Sequence, residues 1–226
     1  MIIASAIIIS ILVGYLLGSI SNGVLIGKIF YGVDVRQKGS GNSGGTNTGR
    51  VLGKKAGIST IILDALKTMI SMWLILFIYR IPAINDLIKI DPSYLSFIAG
   101  FSCCIGHTYP IFFNFKGGKS VACLAGICLA TNWIISIIGL AIFMIVLLIS
   151  KYVSLSSCIA AISVAIMSFI PFICQYGTIF NINEYNIIFS IFYSLVALLL
   201  IFRHKENISR LIKGTESKIT WLNKKN

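Results

Sequence analysis

The sequence has few charged residues, and few of those are acidic. Asp, Glu, Lys and Arg make up 12% of its 226 residues, and only 7 residues are acidic, whereas about 25% charged residues are typical of soluble domains. Hydrophobic residues reach 57%, and the mean hydropathy is +0.91. A soluble fold of this length could not bury that much apolar surface, and a disordered chain would have the opposite composition. We therefore expect an all-α integral membrane protein forming a single domain, residues 1–226.

The sequence also lacks the cysteine patterns of a disulfide framework or a zinc site. No C-x-x-C pair or Cys/His cluster occurs, and cysteines inside apolar runs behave as small hydrophobic residues. The six cysteines all lie in or beside such runs: Cys103, Cys104, Cys123, Cys128, Cys158 and Cys174. We predict neither a metal site nor a cofactor.

The first residues lack the positive segment of a signal peptide. Their apolar stretch continues almost to Phe30, so a spanning helix is the better interpretation. Segments of about 20 apolar residues can cross a bilayer, and seven segments qualify, some only marginally. They are Ile2–Ile26, Ala56–Tyr79, Tyr94–Phe113, Val121–Asn132, Trp133–Ser150, Val153–Cys174 and Tyr185–Phe202. The fourth is short, and with the fifth it forms either one continuous helix or a hairpin turning at Thr131 and Asn132.

The distribution of positive charge orients these spans. With seven spans and the N-terminus outside, 16 of the 19 Lys and Arg residues, down to Lys224 and Lys225, fall in inner segments. Only Arg80 and Lys89 lie outside, and Lys67 lies within a span. Merging the fourth and fifth spans would put the basic tail outside, against the positive-inside rule. We predict seven spans, an outer N-terminus and a cytoplasmic C-terminus.

The first polar stretch, GSGNSGGTNTGR at residues 39–50, has the composition of a phosphate site. Glycines allow close backbone approach, Ser, Thr and Asn offer neutral donors, and Arg50 offers a guanidinium fork. Gly39, Gly41 and Gly44 formally match G-x-G-x-x-G, but a dinucleotide site needs a preceding strand, and apolar helices flank this loop. The alternative is a flexible linker.

The second polar stretch contains two lysines around a glycine pair, in the order Lys116, Gly117, Gly118, Lys119, Ser120. It imitates the end of a Walker A loop, but Phe113 stands where that motif needs glycine. Lys119 could serve a phosphate as a point charge. The alternative is a lysine anchor for lipid headgroups.

The third polar stretch runs from Arg203 to Glu216. On a helix, His204 and Asn207 share one face and could orient a hydroxyl or a phosphate. The alternative is an amphipathic basic tail on anionic lipid. Within the second span, Asp64 and Lys67 are three residues apart, and we expect each to form a structural ion pair, either with the other or with a loop.

Three long segments in this order resemble the signatures of a known family. They read GSGNSGGTNTGR, GHTYPIFFNFKGGKS and RHKENISRLIKGTE, accompanied by GSISNG and LGKK. The sequence resembles the bacterial acyl-phosphate:glycerol-3-phosphate acyltransferases, the PlsY family, over nearly its whole length. The resemblance implies transfer of a fatty acyl group from acyl phosphate to the 1-hydroxyl of glycerol 3-phosphate, giving lysophosphatidic acid and phosphate.

The resemblance also implies seven spans in the bacterial cytoplasmic membrane, with the active site facing the cytoplasm. It implies acyl phosphate and glycerol 3-phosphate as substrates, contact with membrane lipid, and no coenzyme A, metal, nucleic acid or obligate protein partner. Implied catalytic residues are Ser40, Arg50, Lys119, His204 and Asn207. Implied substrate-binding residues are Gly41, Asn42, Thr46, Asn47, Gly117, Gly118, Ser154 and Ser157, while Asp64, Lys67 and Glu216 are expected to be structural. The general base is either the phosphate of the donor or His204.

Five positions depart from the family pattern. Gly45 replaces Ala, Thr68 and Ser120 replace Gly, Cys123 replaces Thr, and Ser21 replaces Pro. A paralogue with another donor or acceptor therefore remains an alternative, as does an anion or phosphate transporter. A lipid acyltransferase using acyl-CoA is disfavoured because the H-x-x-x-x-D signature is absent after both histidines.

Overall fold

The computed structural model describes residues 1–179 and 186–219, and their regular structure is helical. Tyr185, where the seventh predicted span begins, and Lys224 and Lys225 in the basic tail lie outside these ranges. The helices are α1 (Ile2–Gly18), α2 (Asn22–Tyr31), α3 (Gly45–Leu52), α4 (Lys54–Tyr79), α5 (Pro82–Ile88), α6 (Pro92–Thr108), α7 (Val121–Thr131), α8 (Trp133–Ser150), α9 (Val153–Met167), α10 (Pro171–Gly177), α11 (Ile187–Arg203) and α12 (Lys205–Ile212). Short 3-10 helices cover Val35–Gln37 and Ile111–Phe113.

Four helical stretches in the described ranges are long and apolar enough to cross a membrane. They are Ile2–Tyr31, Lys54–Tyr79, Pro92–Phe113 and Trp133–Ser150, and two bent helix pairs raise the number to as many as six. Helix α7 has 11 residues, about half the length of a full crossing. The all-α membrane class is confirmed, whereas the count of seven and the orientation of the termini stay predictions.

The first span is interrupted at Ser19, Ile20 and Ser21, between α1 and α2. The interruption leaves backbone carbonyls without helical partners, and such groups need a donor at membrane depth. Lys67 Nζ supplies it, lying 2.9 Å from Gly18 O and 2.6 Å from Ile20 O. Helix α4 therefore stabilises the break in the first span.

Asn132 separates α7 from α8 and excludes one continuous helix. Its backbone is extended, and its Oδ1 caps α8 by accepting from Ile135 N at 2.9 Å. Its Nδ2 donates to Ile173 O, and Ile179 N donates to Thr131 O at 2.8 Å. The break is thus held by the α10 region.

The predicted span Val153–Cys174 is not one straight helix. It divides into α9 and α10, which meet at 92°. Pro171 begins α10, and a proline disfavours helical geometry at the residue before it; Ile170 is accordingly extended. A second bend, of 58°, separates α11 from α12 at His204.

The helices pack around a central α4–α6–α7 group. Helix α6 contacts α1 and α4, while α9 packs against α8 and α11. Phe97 stacks on Phe189 with ring centroids 4.6 Å apart. Many large apolar side chains on α1, α4 and α8 are exposed, as expected of surfaces that lipid covers. One cavity is lined by the loop after α2, the loop after α6 and the bend between α11 and α12.

Candidate functional site

One cavity of about 360 Å³ joins the three polar stretches. Most of its polar lining comes from all three and from the start of α9: Ser40, Asn42, Thr46, Asn47, Arg50, Lys119, Ser154, Ser157, His204, Asn207 and Glu216. Lys54 of α4 and Ser136 of α8 also line it. Asp64 and His107 also reach it. Gly41, Gly117 and Gly118 are not among its lining residues. The structure therefore brings together all five residues expected to be catalytic.

Asn47 fixes the shape of the first loop. Its Nδ2 donates to Val35 O and Asn42 O, each at 2.8 Å, and its Oδ1 accepts from Ser40 N at 2.8 Å. Gly39 has a φ of +64° and lies so close that a Cβ there would be 2.3 Å from Asn47 Oδ1. The amide of Asn47 is committed to the loop, which leaves ligand contacts to other residues.

Arg36 connects the first loop to the second, a role that the sequence did not reveal. Its Nη1 donates to Phe113 O at 2.7 Å, while Nε and Nη2 bind Asp34 at 3.0 and 2.8 Å. The hydrogen bond from Arg36 holds the pKa of Asp34 below its usual value. Contacts between residues 77 positions apart leave no local signal.

Glu216 organises the third polar stretch. It accepts hydrogen bonds from Ser154 Oγ at 2.9 Å, Asn207 Nδ2 at 2.6 Å and Arg210 Nε at 2.7 Å. Burial raises its pKa, but the bonds from Asn207 and Arg210 outweigh burial and hold that pKa below its usual value. The charged Glu216 therefore joins α9 to α12.

Lys119 lies between this network and the cavity. Its Nζ donates to Asn207 Oδ1, so Asn207 bridges Lys119 and Glu216. Burial, and then the positive charge of Arg210, lower the pKa of Lys119 to about 8. The cation that faces the cavity thus holds its proton less firmly than an ordinary lysine.

Arg50 and His204 complete the polar end. Arg50 is exposed, and within residues 1–179 and 186–219 it has no recorded hydrogen bond or ion pair. His204 Nδ1 lies 2.8 Å from Leu200 O. Because a carbonyl only accepts, Nδ1 carries the proton, and Nε2 of the neutral ring is an acceptor.

Gly118 packs directly on His107, at the end of α6. Gly118 N donates to His107 O at 2.9 Å, and a Cβ on Gly118 would lie 2.0 Å from His107 Nε2. Gly117 is equally close to the His107 carbonyl. The glycine pair therefore lets the second loop lie flat against α6.

Ser120 occupies the position where the family pattern has glycine, and its φ of +60° explains that pattern. Left-handed backbone is strained for serine. The buried hydroxyl offsets the strain through contacts with Thr108 Oγ1 at 2.8 Å and Cys104 O at 2.9 Å. Two hydrogen bonds to α6 therefore accommodate this departure.

Three further departures also have local partners. Gly45 brings α3 against α4, where a Cβ would lie 2.7 Å from Gly57 O. Thr68 Oγ1 contacts Asp64 O at 3.1 Å and Cys103 Sγ at 3.4 Å. Cys123 Sγ lies 3.9 Å from Asp64 O. Nothing in the structure explains Ser21 in place of proline.

Of the two expected partners, each other or a loop, Asp64 and Lys67 pair with each other, with Oδ1 and Nζ 2.9 Å apart. Asn22 Nδ2 also donates to Asp64 Oδ1 at 2.9 Å. Within the part of the chain that the structure describes, no group of three His, Cys, Asp or Glu residues could hold a metal ion.

The rest of the cavity is apolar and runs between α7, α8 and α9. Its lining includes Ala122, Ala125 and Leu129 of α7, Leu140 of α8 and Val164 of α9. A polar end and an apolar continuation suit a ligand with a charged head and a hydrocarbon chain.

Comparisons with known proteins agree with this chemistry. The family model described as glycerol-3-phosphate acyltransferase matches residues 8–214. A glycerol-3-phosphate acyltransferase of Staphylococcus carnosus (strain TM300) is 42% identical over 216 residues, which cover 96% of this chain and 99% of that protein. One of Acholeplasma laidlawii is 41% identical over 219 residues, covering 94% and 93%.

Solved structures give the same result. A crystal structure of PlsY (YgiH), described as an integral membrane glycerol 3-phosphate acyltransferase in its glycerol 3-phosphate form, has a TM-score of 0.78 at 33% identity and covers 96% of both chains. Its lysophosphatidic acid form has a TM-score of 0.76. By sequence and by fold, the chain belongs to the glycerol-3-phosphate acyltransferase family.

Proposed function

We propose that the protein transfers a fatty acyl group from acyl phosphate to the 1-hydroxyl of glycerol 3-phosphate, at the cytoplasmic face of a bacterial membrane. The products are lysophosphatidic acid and inorganic phosphate. The observation that carries the proposal is the single cavity in which three polar loop segments meet an apolar groove. Structures of a relative with glycerol 3-phosphate and with lysophosphatidic acid support the acceptor and the product.

Both proposed substrates carry phosphate, and the polar end offers complementary charge. Arg50 presents a guanidinium fork without an internal partner among the described residues, a geometry suited to two phosphate oxygens. Lys119 adds a point charge. Ser40, Thr46 and the Ser154–Ser157 segment supply hydroxyls, and Asn207 holds Lys119 in place.

Acyl phosphate is already an activated donor, because its leaving group is stable phosphate. The protein has to align the acceptor hydroxyl with the carbonyl carbon and stabilise the carbonyl oxygen as it gains charge. The hydroxyl oxygen forms the new ester bond, the bond from carbonyl carbon to phosphate oxygen breaks, and phosphate leaves with its electron pair. The hydroxyl proton goes to the donor phosphate or to Nε2 of His204, which is an acceptor in the tautomer set by Leu200.

The test is to supply the purified, reconstituted protein with glycerol 3-phosphate and either palmitoyl phosphate or palmitoyl-CoA. We expect lysophosphatidic acid and phosphate in equal amounts from palmitoyl phosphate alone. Product from palmitoyl-CoA alone would overturn the donor. No product from either donor, in a protein with an intact thermal transition, would overturn the acyl-transfer function and favour a paralogue or a transporter.

A further inference from the structure

His107 is the one histidine at the cavity to which neither the family signatures nor the proposed function gives a role. It ends the buried α6 and is 6% exposed, yet it lines the same cavity as Arg50 and Lys119. The question is which of its two ring nitrogens carries the proton, because that decides what His107 offers to a ligand.

Lys67 answers that question through its own hydrogen bonds. An ammonium group has three protons and no acceptor. Nζ of Lys67 lies 2.9 Å from Gly18 O, 2.6 Å from Ile20 O and 3.1 Å from His107 Nδ1, with geometry suited to a hydrogen bond in each case. Asp64 Oδ1 also lies 2.9 Å from Nζ and balances its charge, so four acceptors surround the three protons. Nδ1 of His107 faces the ammonium group whichever of these acceptors the protons reach.

Nδ1 of His107 therefore accepts, and the neutral ring carries its proton on Nε2. A second proton on Nδ1 would face the ammonium of Lys67. Asp64 Oδ1 lies 3.6 Å from Nδ1, beyond the range of a hydrogen bond. The ring is thus held as a neutral donor by a buried lysine.

Gly118 packs against that donor without a side chain. A Cβ there would lie 2.0 Å from Nε2, so only glycine fits against this side of the ring. Within the described ranges, Nδ1 contacts Lys67 and Nε2 has no hydrogen-bond partner. Nε2 is not among the fully buried side-chain atoms that lack a partner, so it keeps access to the cavity that His107 lines.

We propose that His107 is a catalytic residue whose Nε2–H donates to the carbonyl oxygen of the acyl donor, and that Lys67 is its positioning residue. The inference rests on the proposed acyl transfer. As the acceptor hydroxyl attacks, the carbonyl π electrons move to that oxygen, and Nε2–H stabilises the charge without giving up its proton. The electrons return when the phosphate leaves. A neutral donor suits this oxygen, because the cations Arg50 and Lys119 bind the phosphate groups of the two substrates.

The first experiment separates this role from folding. His107→Phe keeps a ring without a donor, and His107→Gln keeps an N–H of similar reach. With palmitoyl phosphate, we expect His107→Phe to lower kcat by about a hundredfold, as for removal of one oxyanion donor. The KM for glycerol 3-phosphate should stay within about threefold, because ground-state binding is untouched. His107→Gln should recover at least about tenfold in kcat. Equal losses in both variants, or a near wild-type kcat in His107→Phe, would overturn the catalytic role.

The second experiment tests the positioning role of Lys67. Lys67→Met removes the bond to Nδ1 and frees the imidazole to take either tautomer. Glutamine has no tautomer to fix. In the protein that keeps His107, Lys67→Met should therefore lower kcat several-fold, whereas in the His107→Gln variant it should cause no further loss. The same loss in both backgrounds would show that Lys67 is only structural.

The third measurement needs no substrate and is independent of the proposed reaction. The sequence has two histidines, and their contacts predict opposite tautomers. Nitrogen NMR of ¹⁵N-histidine-labelled protein should show Nε2–H for His107 and Nδ1–H for His204, with His107→Gln assigning the signals. Nδ1–H at His107 would overturn the inference. If only palmitoyl-CoA serves as donor, the proposed function fails, and the same variants test His107 on that carbonyl.

Discussion

The cation in the middle of α4 and the cations at the loop end of the cavity are held in opposite ways. Lys67 is 7% exposed, and its three protons and its charge are matched by carbonyls, a ring nitrogen and Asp64. Arg50 is exposed without a recorded partner in the described ranges, and Lys119 has a neutral amide as its hydrogen-bond partner there. Both regions contain cations, but only the loop end of the cavity has unmatched positive charge.

The difference indicates what each region does. A buried charge must be neutralised where it lies, so its geometry is rigid and suited to positioning. An exposed, unmatched guanidinium has little to lose when an anion arrives and a fork with which to hold it. Removal of Asp64, the counter-charge of Lys67, should therefore lower stability. Alteration of Arg50 at the loop end of the cavity should instead lower turnover.

The largest expected effect is on stability, at the matched cluster. Asp64→Asn leaves the ammonium of Lys67 buried without its counter-charge, which should cost about 3–5 kcal/mol. Thermal unfolding in detergent would measure the change, with Asp86→Asn on the exposed α5 as the matched control. If both variants melt alike, Asp64 does not balance Lys67.

The next effect is on turnover, at the unmatched cations. Arg50→Lys keeps the charge but replaces a fork with a point charge, and we expect kcat/KM for glycerol 3-phosphate to fall about a hundredfold. The melting temperature should not change. Arg80→Lys, just after the last residue of α4 and outside the cavity lining, is the matched control. Near wild-type turnover in Arg50→Lys would remove Arg50 from the site.

A smaller loss is expected at His204. His204→Ala removes the acceptor nitrogen opposite the Leu200 contact, and the rate with palmitoyl phosphate should fall at least about tenfold, the low end for an orienting or acid–base group. Single-turnover kinetics would separate this loss from product release. An unchanged rate would leave the donor phosphate as the general base.

The sequence predicted the membrane class and the three polar segments, because composition and spacing carry those signals directly. It also indicated that Asp64 and Lys67 pair with each other or with a loop, since residues three apart are neighbours on a helix. These are local patterns, and the structure needed only to place them around one cavity.

What the sequence could not show depends on contacts between distant segments. The hydrogen bond from Arg36 to Phe113 joins residues 77 positions apart. Lys67 reaches Gly18 and His107, which are 49 and 40 positions away. The bend after α9 did have a local signal in Pro171, which the apolar run obscured. His107 is visible in the sequence, in the GHTYP segment. Which ring nitrogen carries its proton follows only from the contact between Lys67 Nζ and His107 Nδ1.

The smallest effect is a pH dependence that also separates the two regions. Lys119 has a pKa of about 8, lowered by burial and by Arg210; His204, Arg203, Glu206 and Glu216 are the other ionisable groups around it. As pH rises through 8, Lys119 loses the charge that holds phosphate, so kcat/KM should fall about twofold at pH 8 and further above it.

Loss of folding does not account for this decline. Above pH 8 the unfolded chain binds more protons at Lys119 than the folded chain does, because the ordinary lysine pKa is 10.5. The contribution of Lys119 to stability therefore rises over this range, and unfolding does not explain the loss. Lys119→Arg, whose charge persists, should flatten the profile, and an unaltered decline in that variant would assign the titration to another group.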